Sequence, residues 1–286
     1  MLSSNAAPSG ATTMEAITDQ PQLRLTGVRK TFHRDRKTVE ALRDVSFEVP
    51  RGQFLSALGP SGCGKSTMLH IIGGFETATS GSVHLDGKPV TAPGRDRGMM
   101  FQQATLFPWK TVQANVAWPL LVDGWKRKHA RERARELLAT VGLSGFEHSY
   151  PAELSGGMRQ RAALARTLGL APDILLMDEP FGALDAQTRE LMQEELTRIW
   201  QESQLTVIFI THDINEAVFL GDRVLVMGAR PGRIIADVEI ELDRPRGAHT
   251  KRDPKLVEYH NEFWDLIRQE AGPQPSGSRD AGETPS

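Results

Sequence analysis

The spacing of apolar positions changes character along this chain. Before residue 59 it follows a period of two. Leu23-Arg24-Leu25 alternates, a short run over 39–42 follows, and Val45-Ser46-Phe47-Glu48-Val49 alternates again. Pro50-Arg51-Gly52 supplies a turn, and 53–58 reads as a further strand. Ser82-Val83-His84-Leu85 with Asp86-Gly87 behind it predicts a hairpin. Over 126–141 the spacing lengthens: Ala130, Ala134, Leu137, Leu138 and Val141 share one helical face, and Gly142 ends it. Ile174-Leu175-Leu176-Met177 and Thr206-Val207-Ile208-Phe209-Ile210 are continuous apolar runs of strand length, the pattern of strands covered on both faces. Between them, 188–202 reads as a long helix. Near the end, Asp253-Pro254 opens a helix whose stripe is Leu256, Tyr259, Phe263 and Ile267. The alternation predicts an α/β sheet flanked by a small antiparallel region and a helical insert.

Composition narrows the function classes. The chain has 286 residues, enough for one large or two small domains, and a formal net charge of -2. That balance predicts no general affinity for nucleic acid or acidic membrane. The basic run over 126–135 is interleaved with Glu132 and Glu136 at helical spacing, so it reads as a solvated face. A lone cysteine, Cys63, excludes an internal disulfide and fits a reducing compartment. No apolar run approaches the roughly 18–20 residues that cross a bilayer. Residues 1–20 are rich in Ser, Ala and Thr without a secretory pattern and are expected to be a disordered leader, with Met14 an alternative start. Residues 272–286, rich in Pro, Gly and Ser, are expected to be an unstructured tail. The folded part is expected over 21–250, with its helical insert at about 103–165, followed by a C-terminal helix over 251–271.

Three stretches carry candidate chemistry. Gly59-Pro60-Ser61-Gly62-Cys63-Gly64-Lys65-Ser66-Thr67 follows a strand and opens a helix at Ser66. Its glycines free the backbone to curl around an anion, and the helix start adds positive field. Lys65 can reach β/γ-phosphates, and the Ser66 hydroxyl can ligate Mg²⁺. Cys63, near a helix N-terminus, is expected to have a lowered thiol pKa and to be alkylated unless nucleotide shields it. Asp178-Glu179-Pro180 ends a buried strand. Asp178 can hold the Mg²⁺ hydration shell and Glu179 can face an attacking water, because consecutive side chains diverge. Leu154-Ser155-Gly156-Gly157-Met158 looks like a second anion-binding helix start. Two unlike phosphate-binding elements in one chain suggest that each supplies half of a shared site between two copies arranged head to tail. Taken alone, these stretches could be an accidental turn, a solvated turn and a plain helix cap. Together they support one another.

In this order the motifs resemble those of the ATP-binding subunits of ABC transporters, over about 23–233. The resemblance implies a P-loop NTPase fold with a RecA-like parallel core, an antiparallel β-subdomain and an α-helical insert, and ATP and Mg²⁺ as ligands. It implies that Gln102 touches Mg²⁺ or water and hinges the insert, and that Asp185 crosses the dimer interface. His212 would contact the γ-phosphate, and Phe32 would stack on adenine. Catalysis would rest on Glu179, His212 and Lys65, with Ser155, Gly156 and Gly157 acting on the partner's nucleotide. The metal would be held by Ser66, Gln102 and Asp178, partly through water. Met158 stands where the signature often has glutamine, which leaves the serine and glycine contacts intact.

Two classes of such protein remain. A soluble ATPase of translation would carry two cassettes, and one of DNA repair would need a long coiled coil, for which the stretch between Lys65 and Leu154 leaves no room. An importer subunit is favoured. Leu106-Phe107-Pro108-Trp109, Phe181-Gly182-Ala183-Leu184-Asp185-Ala186-Gln187-Thr188-Arg189 and Ala229-Arg230-Pro231-Gly232-Arg233 resemble the nitrate, sulfonate, taurine and bicarbonate importer branch. This implies membrane permease subunits, an extracytoplasmic solute-binding protein, and a peripheral position on the cytoplasmic face of the inner membrane. Leu106, Phe107 and Trp109 are expected to be exposed anchors for the permease.

Overall fold

The computed structural model describes residues 20–34 and 37–271. The expected leader and tail lie outside them, apart from Gln20. Two sheets organise the chain. The first is antiparallel and four-stranded, in the order β2-β1-β4-β5, built from β1 (Leu23–Arg34), β2 (Lys37–Val49), β4 (Ser80–Leu85) and β5 (Lys88–Pro89). Leu23 sits opposite both Val49 and Leu85, and Leu25 opposite Phe47 and Val83, so the period-two apolar residues form one buried face. β1 and β2 are longer than alternation suggests because bulges interrupt them. Gly27 at φ 58 and Asp44 at φ 53 lie where the pairing slips, between Leu25 and Val28 and on to Lys30, and each slip resets which residues face inward.

The second sheet runs β10-β9-β3-β8-β7-β6. Its strands are β3 (Phe54–Leu58), β6 (Arg97–Met100), β7 (Ile174–Asp178), β8 (Thr206–Thr211), β9 (Arg223–Gly228) and β10 (Arg233–Glu239). All pairs are parallel except β9 with β10. Every residue of β3 and β8 is buried, Ser56, Thr206 and Thr211 included, as strands covered on both faces require. Phe54, Phe209 and Phe181 pack ring to ring at 5.9 and 5.7 Å on one side. On the other, α1 (Lys65–Gly73) buries Met68, Leu69 and Ile72 between the two sheets. Burial of each such side chain contributes about 1.5–3 kcal/mol.

The insert comprises α2 (Val112–Val122), α3 (Arg127–Thr140) and α4 (Gly156–Leu168). The predicted 126–141 helix is α3, flanked by Lys126 and Val141 as its caps. Helix α2 shows no polar face, and Pro119 interrupts it, so periodicity does not reveal it. Helices α5 (Ala186–Ser203) and α6 (Ile214–Leu220) follow β7 and β8. Helix α7 (Pro254–Ala271) docks through buried Phe263 and Leu256. Glu270 near its end accepts two hydrogen bonds from Arg233 Nη2, at 2.8 and 2.9 Å. Among the described residues no helix is long and apolar enough to cross a membrane.

Candidate nucleotide site

The loop between β3 and α1 is shaped by what its glycines avoid. A Cβ on Gly59 would stand 2.6 Å from the Met227 carbonyl oxygen. Gly64 has φ 97, and a Cβ there would lie 2.7 Å from the Ala41 carbonyl oxygen. Gly64 also caps α1 without a side-chain acceptor, so the first helical amides are left for an anion. Lys65 is 4% exposed and curls back, Nζ donating to the carbonyls of Gly59 at 2.6 Å and Pro60 at 3.1 Å. The cation thus stands at the loop's mouth with no salt bridge shorter than 3.8 Å, the distance to Glu179 Oε1.

β7 ends at Asp178, where the chain leaves the sheet. Ser66 Oγ donates to Asp178 Oδ1 at 3.0 Å. Burial pushes the Asp178 carboxyl above the usual carboxylate range, and the Ser66 hydrogen bond opposes it only in part. The next residue, Glu179, has φ 43, a left-handed backbone rare outside glycine. Its carboxylate accepts from His212 Nδ1 at 3.0 Å, just past the end of β8. The two adjacent acids therefore serve different partners: Asp178 faces Ser66, and Glu179 faces Lys65 and His212.

These groups open onto a cleft of about 870 Å³. Ser61, Gly62, Gly64, Lys65, Ser66 and Thr67 line it, with Gln102, Asp178 and Glu179. Gln102 follows β6, its side-chain nitrogen beside Gly182 and its backbone carbonyl accepting from Gln160 Nε2 at 3.0 Å. Among the described residues no group of three or more His, Cys, Asp or Glu could hold a metal ion. The Ser66–Asp178 pair beside an anion cradle fits Mg²⁺ taken largely through phosphate and water, the ion's usual mode.

Other expected residues stand apart. Phe32 does not line the cleft; its cross-strand neighbour Val39 does, while Phe32 lies under Lys30 Nζ at 4.8 Å. Ser155, which accepts from Met158 N at 3.2 Å, caps α4 and also lies outside the cleft wall, as do Gly156 and Gly157. Gly157 lets α4 abut α5, since a Cβ there would meet Thr188 Cγ2 at 2.3 Å. Asp185 caps α5, accepting from Thr188 N at 3.0 Å, and that amide holds its carboxyl below the usual range.

Two expectations are corrected. Cys63 is 1% exposed, wedged beneath the loop with Sγ 3.9 Å from Lys65 Nζ. Burial pushes its thiol up, outweighing the lysine and the loop amides. Native protein is therefore expected to resist thiol alkylation with or without nucleotide, and to react only when denatured. Rapid modification of the folded chain, followed by mass spectrometry, would contradict this. Leu106 is likewise buried, in the apolar cluster that joins the insert to the parallel sheet. Phe107 is half-buried against Trp109 and Trp118, at 5.6 and 5.7 Å, and only Trp109 is strongly exposed, at 71%.

Three features have a part at the site that the motifs do not indicate. Asn115, fully buried, pins this aromatic loop, accepting from Phe107 N at 2.6 Å and donating to the carbonyls of Phe107, Lys110 and Thr111. Gln160 on α4 also donates to the Pro180 carbonyl, so one amide spans Gln102 and the turn after Glu179. The β9–β10 turn, Arg230-Pro231-Gly232, lines the cleft beside Thr38, Val39, Glu40 and Ala41. Gly232 N donates to Ala41 O at 3.1 Å, and a Cβ on Gly232 would stand 2.0 Å from Cys63 O.

A family model described as ABC transporter matches residues 42–182. The taurine import ATP-binding protein TauB of Rhizobium johnstonii is 52% identical over 237 residues, 81% of this chain and 90% of that protein. The nitrate import ATP-binding protein NrtD of Synechocystis is 46% identical, over 86% of this chain and 95% of its own. An uncharacterised ABC transporter ATP-binding protein of Methanocaldococcus jannaschii, MJ0412, is 48% identical, over 87% and 92%. Among solved structures, a dimeric post-hydrolysis state of the ATP-binding cassette MJ0796 bound to ADP and Pi superimposes with a TM-score of 0.69. It is 35% identical, over 77% of this chain and all of that one.

Proposed function

The chain belongs to the ATP-binding subunits of ABC transporters, and on that footing we propose that it hydrolyses ATP to energise import of a small anion of the nitrate, sulfonate or taurine kind. The observation that carries the hydrolytic reading is the convergence of Lys65 and His212 on the Glu179 carboxylate, next to the Ser66–Asp178 pair. The anion class follows from the names of the importers it resembles.

Phosphoryl transfer to water asks a protein for positioning and charge stabilisation more than for covalent help. Mg²⁺, held at Ser66 and Asp178, would supply charge neutralisation at the transferred phosphoryl group. Lys65 would trade its two loop carbonyls for phosphate oxygens, and the amides of the loop would do the same work without reorganising. Glu179 takes the proton of the attacking water, and His212 Nδ1–H orients that carboxylate. Ser155 and the start of α4 lie outside their own chain's cleft and would close over a partner's nucleotide. That reading accounts for a dimer with two sites, and for α4 opening on two glycines while Ser155 caps only the Met158 amide.

Trp109, projecting from the insert, is the residue best placed to meet a permease. When the chain is expressed with its cognate permease, it is expected in the membrane fraction. Trp109→Ala is expected to shift most of it to the supernatant, with ATP binding unchanged. Recovery with ribosomes or DNA in place of membranes would overturn the transport reading.

A further inference from the structure

We propose that Arg189 and Glu216 form a positioning relay, carrying the state of the Asp185 turn to His212 and so to Glu179. The proposal rests on the hydrolytic, dimeric reading above and adds to it two residues to which the motifs assign no role. Arg189, one turn into α5, folds back so that Nη2 donates to the Leu184 carbonyl at 2.9 Å, in the turn that precedes the Asp185 cap. Its Nε is shielded from water and lacks any hydrogen-bond partner. That atom lies 3.8 Å from Glu216 Oε1.

Glu216, on α6, is 6% exposed. Its Oε2 accepts from Thr211 Oγ1 at 2.7 Å, and its Oε1 from Gln193 Nε2 at 3.2 Å. The Thr211 hydroxyl oxygen in turn accepts from Asp213 N at 3.0 Å, so this one side chain brackets the backbone on both sides of His212. From His212 the path reaches Glu179 Oε2 at 3.0 Å. Every link from the bracket onward is made. The slack one is Arg189 to Glu216, too long for a hydrogen bond.

A buried N–H without an acceptor is costly, so the slack link has a driving force to close. A cavity of about 340 Å³ borders Arg189, Gln193, Asp213 and Glu216 and leaves room for the movement. A partner chain that docks on the Asp185 turn displaces Leu184, and with it the guanidinium. Closing on Glu216 then loads Thr211 and holds His212 in the contact it already makes with Glu179. Sites on two chains would thereby be cocked together by tightening a salt bridge that the isolated chain holds without a hydrogen bond.

The test uses the full chain with Mg·ATP. Arg189→Met and Glu216→Gln are each expected to lower kcat for ATP hydrolysis about tenfold, with KM and the Kd of a fluorescent ADP analogue moved less than about twofold, and with the double variant no worse than the poorer single. Thr211→Val should reproduce the loss and Thr211→Ser restore it, which also serves if Glu216→Gln fails to fold. A wild-type kcat in either single variant, losses that multiply, or a rise in KM with kcat unchanged would each overturn the relay. Glu179→Gln assayed alongside isolates the parent reading. If it hydrolyses ATP normally, the assigned base is wrong and the relay has no target.

Discussion

Glu179→Gln is expected to lower ATP hydrolysis by about 10²–10⁴-fold, the range for removing a general base, while leaving nucleotide binding intact. The substitution keeps the side chain's shape and the φ 43 backbone that aims it. It removes the charge that faces Lys65 Nζ at 3.8 Å and accepts from His212 Nδ1 at 3.0 Å. A neutral amide is a poor proton acceptor, so the water stays unactivated. Meanwhile Lys65, Ser66, Asp178 and the loop amides are untouched and bind ATP as before. With turnover blocked, the two-chain closed state should accumulate and be visible as a dimer by size-exclusion chromatography in ATP. A variant that turned over normally, or stayed monomeric with ATP bound, would place the base elsewhere.

Gly232→Ala should also be damaging, through binding and stability, although Gly232 belongs to no nucleotide motif. A methyl there would meet Cys63 O at 2.0 Å and Ala41 O at 2.8 Å, both backbone atoms that cannot swing aside. Either the phosphate loop or the β9–β10 turn must move. Overpacking of this kind costs about 1–3 kcal/mol, and losing the Gly232 N–H to Ala41 bond would add to it. Because the displaced atoms carry the cleft walls, ATP affinity is expected to fall by roughly tenfold or more, at about 1.4 kcal/mol per decade. Titration with a fluorescent nucleotide and a melting curve measure the two effects together. Unchanged affinity and stability would mean that the turn yields without cost.

The parts that sequence could reveal are those whose chemistry is local. The phosphate loop, the Asp178-Glu179 pair and the apolar runs of β7 and β8 each carry their signal within a few residues. The site geometry keeps Lys65, Ser66, Asp178, Glu179 and Gln102 around one cleft. What was hidden depends on partners far along the chain. Gly232 reads as an ordinary turn glycine until β10 returns beside β2 and the loop. Gln160 reads as one polar residue of a helix until the insert folds over Pro180. Cys63 shows the opposite failure. Its place by a helix start suggests a reactive thiol, and only its burial reverses that inference. Leu106 is a similar case, since a loop sequence does not tell which of three neighbouring apolar residues turns inward. Phe32 and Val39 are paired across adjacent strands, and it is β2, the edge strand, that borders the cleft.

The double service of Gln160 has a mechanical consequence. Its amide nitrogen has two hydrogens, one committed to the segment that begins the insert and the other to the bend behind the carboxylate. A tilt of α4 strains both tethers at once. The start of the insert and the bend behind the reacting centre thus share one carboxamide, and a displacement of either loads the hydrogen bond to the other.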